Sequence, residues 1–122
     1  MTANAHSLWF TQMIEYDVPP ARQAELANAL AARSEQLARR CEGLESVSIQ
    51  ASDDGCRVLQ SLQWRSRRAW TSACALFADE PFLALLSQHQ ARGVNFSAYQ
   101  ALRNWVRGAD GGLHCEVAGA RA

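Results

Sequence analysis

The chain has 122 residues, 48% hydrophobic and 20% charged, values of a globular domain that buries a core without disulfide or metal staples. Twelve basic residues, all arginine, balance twelve acidic ones, which argues against steering toward nucleic acid or an anionic membrane. No apolar run approaches the ~20 residues needed to cross a bilayer. Cys41, Cys56, Cys74 and Cys115 stand far apart with no CxxC pair, and no export signal opens the sequence. They are expected to be free thiols in a cytoplasmic protein.

The first strand is expected over Leu8–Val18, "LWFTQMIEYDV", rich in β-branched and aromatic residues. Pro19-Pro20 ends it, and Pro20 suits the first turn of a helix, where a missing N–H costs nothing. Leu26, Leu30, Leu37 and Cys41 then recur at helical spacing, with the small Ser34 between them. Gly43 is placed to close this helix in a left-handed cap. In "LESVSIQA" (44–51), Val47, Ile49 and Ala51 share one face and Ser46, Ser48 and Gln50 the other. "SDDG" supplies a turn, with Gly55 free to take positive φ.

The return strand, Cys56–Trp64, puts Cys56, Val58, Gln60, Leu62 and Trp64 on one face and Arg57, Leu59, Ser61 and Gln63 on the other. Ser66 caps the next helix. Pro81 divides that region into segments 67–77 and 80–91. After Gly93 comes a last strand, "VNFSAYQALRNW", with Val94, Phe96, Ala98 and Leu102 on one side and Tyr99, Ala101 and Trp105 on the other. From Arg107 the Gly- and Ala-rich sequence reads as a tail. Residues 1–106 are therefore taken as one domain and 107–122 as its C-terminal tail.

The order β-α-β-β-α-β is the ferredoxin-like α+β arrangement, a four-stranded antiparallel sheet with helices on one face. Its second face is partly apolar, which calls for a cover. The simplest cover is a second copy packed sheet to sheet, a homodimer formed through the face carrying Leu59 and Ser61. On the helix side, Gln60 and Trp64 share a wall separated by Leu62. One amide and one indole N–H in an apolar cleft suit a flat phenolic ligand. No Gly-rich dinucleotide loop and no cluster of His and carboxylates at ligand spacing is present, so neither flavin nor metal is expected.

"LQWRSRRAW" at 62–70, supported by "FADEPFLALL" at 77–86 and "VNFSAYQAL", resembles the antibiotic biosynthesis monooxygenase family over roughly residues 8–105. The resemblance implies a dimeric α+β barrel. It also implies kinship with cofactor-independent oxygenases that oxidise anthrone-like phenols to quinones with molecular oxygen. Trp64 matches the strand Trp of those enzymes. Gln60 stands where they carry Asn, and Trp70 where they usually carry Tyr. Their second-helix Arg has no clear counterpart among Gln88, His89 and Gln90. The resemblance thus assigns Trp64 and Gln60 to catalysis and Trp70, Leu62, Phe82 and His89 to substrate binding, with an aromatic substrate and O2 as partners and no cofactor.

Two other readings stay open at this point. A haem-degrading branch of the fold uses a strand Trp, matched by Trp64, and a second-helix His, for which His89 sits late. The first strand carries Glu15, Tyr16 and Asp17 where that branch needs Asn. A non-oxidative polyketide cyclase or small-molecule-binding dimer would use Glu15, Asp17 and His89 for acid–base work.

Overall fold

Alternation dictates the first element. In β1 (Phe10–Asp17) every second residue is buried, so Phe10, Gln12, Ile14 and Tyr16 point inward. The computed structural model describes residues 10–117, and the expected start at Leu8 lies outside the described residues. A 3-10 turn at Pro20–Arg22 leads into α1 (Gln23–Arg40), whose buried stripe is Leu26, Leu30, Ser34 and Leu37. Gly43 does not form the expected left-handed cap: the positive-φ glycines among the described residues are Gly55 and Gly111. Its smallness serves a close approach instead, because a Cβ there would meet the Ala69 Cβ at 2.4 Å.

β2 (Leu44–Ala51) and β3 (Arg57–Trp64) pair antiparallel. The turn between them holds Gly55 at φ +80°, and Asp54 accepts from the Cys56 amide at 2.9 Å and the Ser52 hydroxyl at 2.7 Å. Ser66 caps α2 (Arg67–Ala73) by accepting from the Ala69 N–H at 3.1 Å. A 3-10 turn, Cys74–Phe77, follows. Asp79 then caps α3 (Glu80–Gln88), accepting from the Phe82 N–H at 3.0 Å, with Pro81 in the first turn. This helix ends at Gln88, short of the expected boundary, as Gln90 turns to φ 56°.

β4 (Arg92–Gln100) completes a sheet of order β2-β3-β1-β4. The fold is ferredoxin-like, with an antiparallel sheet and three helices. Phe10, Ile14, Tyr16, Leu62 and Trp64 from the sheet share one core with Leu26, Leu30 and Leu37 of α1 and with Phe77 and Phe82. The opposite face carries Thr11, Met13 and Glu15 beside Leu59, Ser61 and Gln63.

The last strand does not run on to Trp105. It stops at Gln100, and the chain resumes as β5 (Arg103–Arg107), which pairs with β6 (Leu113–Val117) in a separate two-stranded sheet. The segment expected to be a tail therefore supplies half of a hairpin. Its turn is built from residues of the Gly- and Ala-rich stretch: Gly111 takes φ +85°, and the Gly112 N–H donates to Asp110 Oδ1 at 2.8 Å. Leu102 and Trp105 consequently leave the main sheet and stand 72% and 58% exposed.

Candidate functional site

Gln60, Leu62 and Trp64 all point from β3 into the helix–sheet layer, and all three are fully enclosed. Register explains their neighbours: Trp64 faces Phe10, Leu62 faces Gln12 and Gln60 faces Ile14 across the β1–β3 ladder. The Trp64 indole N–H donates to Gln12 Oε1 at 2.9 Å. Gln60 is held at both ends. Its Oε1 accepts from the Tyr16 hydroxyl at 2.6 Å, and its Nε2 donates to Ser34 Oγ at 3.0 Å. The Ser34 hydroxyl in turn donates to the Leu30 carbonyl at 2.7 Å. The three bonds run in one direction, from the phenol of β1 through the amide of β3 to the backbone of α1.

Burial pushes the Tyr16 phenol far above its ordinary value, against a smaller opposing pull from the Arg33 guanidinium. A phenol desolvated in this way stays neutral and remains a proton donor to Gln60. The amide orientation then follows: Oε1 must face Tyr16, and Nε2 must face Ser34.

The remaining expected site residues fall into two groups. Trp70 lies on Phe10, the ladder partner of Trp64, with ring centroids 5.0 Å apart, and its buried indole N–H has no partner. Phe82 packs edge-on to Tyr16 at 6.3 Å and to Phe77 at 5.9 Å, with the Arg33 guanidinium 5.1 Å above its ring. Arg33 also donates to the Leu76 carbonyl and pairs with Asp79 at 3.3 Å. One layer therefore gathers Gln60, Leu62, Trp64, Trp70 and Phe82. His89 is elsewhere. It ends α3 with Nδ1 3.8 Å from Glu25 Oε1, just before Arg92, which pairs with Asp17 at the far end of β1 from Phe10. Seven residues of strand put those ends roughly 23 Å apart, so His89 and Trp64 do not share a pocket.

Gln12 and Tyr16 on β1, and Ser34 on α1, are the residues that sequence reasoning did not assign to the site. Their signal was present: a Gln inside the inward alternation Phe10, Gln12, Ile14, Tyr16 demands a polar partner once buried. Two openings flank the layer. A groove of about 330 Å³ runs between α1 and β2, with Ser34 in its lining. Another of about 420 Å³ lies between the end of α1 and α2, touching Trp64 and Gly43. Among the described residues, no group of three His, Cys, Asp or Glu side chains is arranged to hold a metal ion, and no helix is long and apolar enough to cross a membrane.

Comparison with known proteins places this fold in a wider set. A family model described as antibiotic biosynthesis monooxygenase matches residues 9–75. No functionally curated protein matches the sequence. Among solved structures, a monooxygenase from the ActVA-Orf6 gene of Streptomyces coelicolor, in complex with nanaomycin D, is 22% identical. That match covers 80% of this chain and 95% of that one with a TM-score of 0.55. SnoaB, a cofactor-independent oxygenase from Streptomyces nogalater, is 15% identical over 78% of this chain and 94% of its own, also with a TM-score of 0.55. A dimeric ferredoxin-like protein from an uncultured marine organism is 12% identical, covering 82% and 91%, with a TM-score of 0.57. At these identities the structural matches establish the fold.

Proposed function

The chain belongs to the antibiotic biosynthesis monooxygenase family, and from that premise we propose that it is a cofactor-independent monooxygenase converting an anthrone-like or polycyclic phenolic substrate to a quinone with O2. The observation that carries this reading is the buried pair on β3: a Gln60 amide locked by Tyr16 and Ser34, beside a Trp64 indole locked by Gln12. In this reading the amide N–H that Gln60 has left uncommitted stabilises the ionised substrate oxygen, the form that passes an electron to O2. Recombination of the resulting radical pair forms a carbon–peroxide bond. Cleavage of the O–O bond then leaves a carbonyl. The balance closes: a methylene loses two hydrogens and gains one oxygen atom, and the second oxygen atom leaves as water. Trp64, Trp70, Leu62 and Phe82 supply flat apolar walls that keep bulk water from the radical pair.

The working unit in this proposal is a homodimer joined through the sheet face of Leu59 and Ser61. Such interfaces bury on the order of 2,000 Å² or more, and a stable monomer at micromolar concentration in sedimentation would refute it. The activity itself is tested by oxygen uptake with anthrone and polycyclic phenols, with no cofactor added. One O2 consumed per quinone formed, unaffected by chelator, is the expected result. Uptake that appears only with added metal, flavin or haemin overturns the reading.

A further inference from the structure

We propose that the groove between α1 and β2 is a binding site for a flat, apolar phenol, and that Ser34 is the residue that reads its hydroxyl. Neither Gln60 nor Trp64 lines this groove; it meets them through the Ser34–Gln60 bond, and the proposal rests on the oxygenase reading only for the identity of the natural ligand. Ala31 and Ala38 of α1 form one wall of the groove, and Leu44, Val47 and Ile49 form the other, enclosing about 330 Å³. That volume lies in the range of small-molecule sites, which are mostly apolar with a few placed polar groups. Val47 and Ile49 pair with Leu62 and Gln60, so the groove opens on the helix side of the sheet. A dimer joined through the opposite face leaves it accessible.

The polar chemistry of the groove is one-sided. Ser34 is buried in its lining, and a serine hydroxyl has one proton and two lone pairs. Its proton is committed to the Leu30 carbonyl at 2.7 Å, and one lone pair to the Gln60 amide at 3.0 Å. What is left can only accept. A ligand that donates, such as a phenol, satisfies it; a quinone carbonyl or a carboxylate presents oxygen to oxygen. Glu35 and Glu45 line the same groove, and Glu45 is already engaged by Arg65 at 2.7 Å. The Glu35 carboxylate adds repulsion against anionic ligands. The site therefore favours a neutral phenol over the quinone derived from it.

The test uses 2-naphthol, 1,4-naphthoquinone and 2-naphthoate, titrated into the uniformly 15N-labelled full chain and followed by amide shifts. The expected result is that 2-naphthol moves the resonances of Ala31, Val47 and Ile49, with the quinone and the naphthoate each weaker by about tenfold, the worth of one good hydrogen bond. Ala38→Trp, at an exposed position of α1, should fill the groove and abolish these shifts while leaving thermal unfolding unchanged. Ser34→Ala should bring 2-naphthol down to the affinity of the quinone. Shifts centred on Ala69 and Leu76, equal affinity for all three compounds, or binding untouched by Ala38→Trp would each overturn the proposal. Because no turnover is read, 2-naphthol bound in the groove of a protein that consumes no oxygen would support this site and sink the oxygenase reading. Turnover with a KM unaffected by Ala38→Trp would do the reverse.

Discussion

Trp64 and Trp105 both lie on strands, yet they live in different chemical worlds. Trp64 is 0% exposed, its N–H is bonded to Gln12 at 2.9 Å, and its neighbours come from β1, β3 and the helices. Trp105 is 58% exposed on a hairpin whose strands, among the described residues, pair only with each other. A strand acquires a buried face only when a second layer lies on it, and an isolated two-stranded hairpin has none. The contrast shows where the polar partners of this chain lie: inside the layer between sheet and helices, Gln60 is matched to Tyr16 and Ser34, and Gln12 to the Trp64 indole.

The sharpest way to break the comparison is to truncate each indole. Trp64→Ala should cost about 3–5 kcal/mol, the range for removing a large core aromatic, whereas Trp105→Ala should change stability by less than about 0.5 kcal/mol, as at most surface positions. Denaturant unfolding of the two variants gives the answer, and equal losses would erase the distinction drawn above. Next in size is Gln60→Leu, which strands the Tyr16 hydroxyl and takes a donor from Ser34. An unsatisfied buried group costs about 1–3 kcal/mol, and oxygen uptake should fall by about a hundredfold if the amide faces developing charge. Loss of stability with full turnover would leave the amide a packing element only.

The smallest effect is a pH dependence. The Tyr16 phenol is raised by burial above its ordinary value of 10.0, so between the unfolded and folded values the unfolded chain has lost a proton that the native state keeps. The unfolded state then binds fewer protons, and stability falls as pH rises. The contribution is intact below about pH 10 and is lost progressively above it. Tyr16→Phe should flatten that alkaline limb while lowering stability at neutral pH by about 1 kcal/mol for one buried hydrogen bond. Alkaline unfolding curves that superimpose would show that Tyr16 is not the group responsible.

Much of the fold was legible because burial follows period. The inward set Val58, Gln60, Leu62 and Trp64 of β3, the Ser66 cap, the Gly55 turn and the division of the helical region near Pro81 all rest on local rules that tertiary contacts did not override, whereas Cys56, expected on the same face, precedes the strand and is exposed. Two features were not legible for stated reasons. The Gly43 expectation used backbone freedom, whereas the position needs room for Ala69, a residue 26 places away that no local rule brings close. The hairpin falls where the sequence reads as a tail because the Gly- and Ala-rich run has no periodicity, although an Asp-Gly turn between "RNWVR" and "LHCEV" is itself a hairpin signal. For the site, strand alternation set Gln60, Leu62 and Trp64 on one wall. The partners of Gln60 and Trp64 came from β1 and α1, and only register supplies that information.

The contact between Gly43 and Ala69 also carries a consequence for how the sequence can drift. A methyl group at position 43 would press α2 outward, and α2 carries Trp70, whose ring rests on Phe10 directly across the ladder from Trp64. Positions 43 and 69 therefore form a size-coupled pair with almost no combined slack. A saturation library should tolerate Ala at 43 best where 69 is Gly. Bulkier pairs should be depleted even though neither residue touches Gln60 or Trp64 through a polar atom.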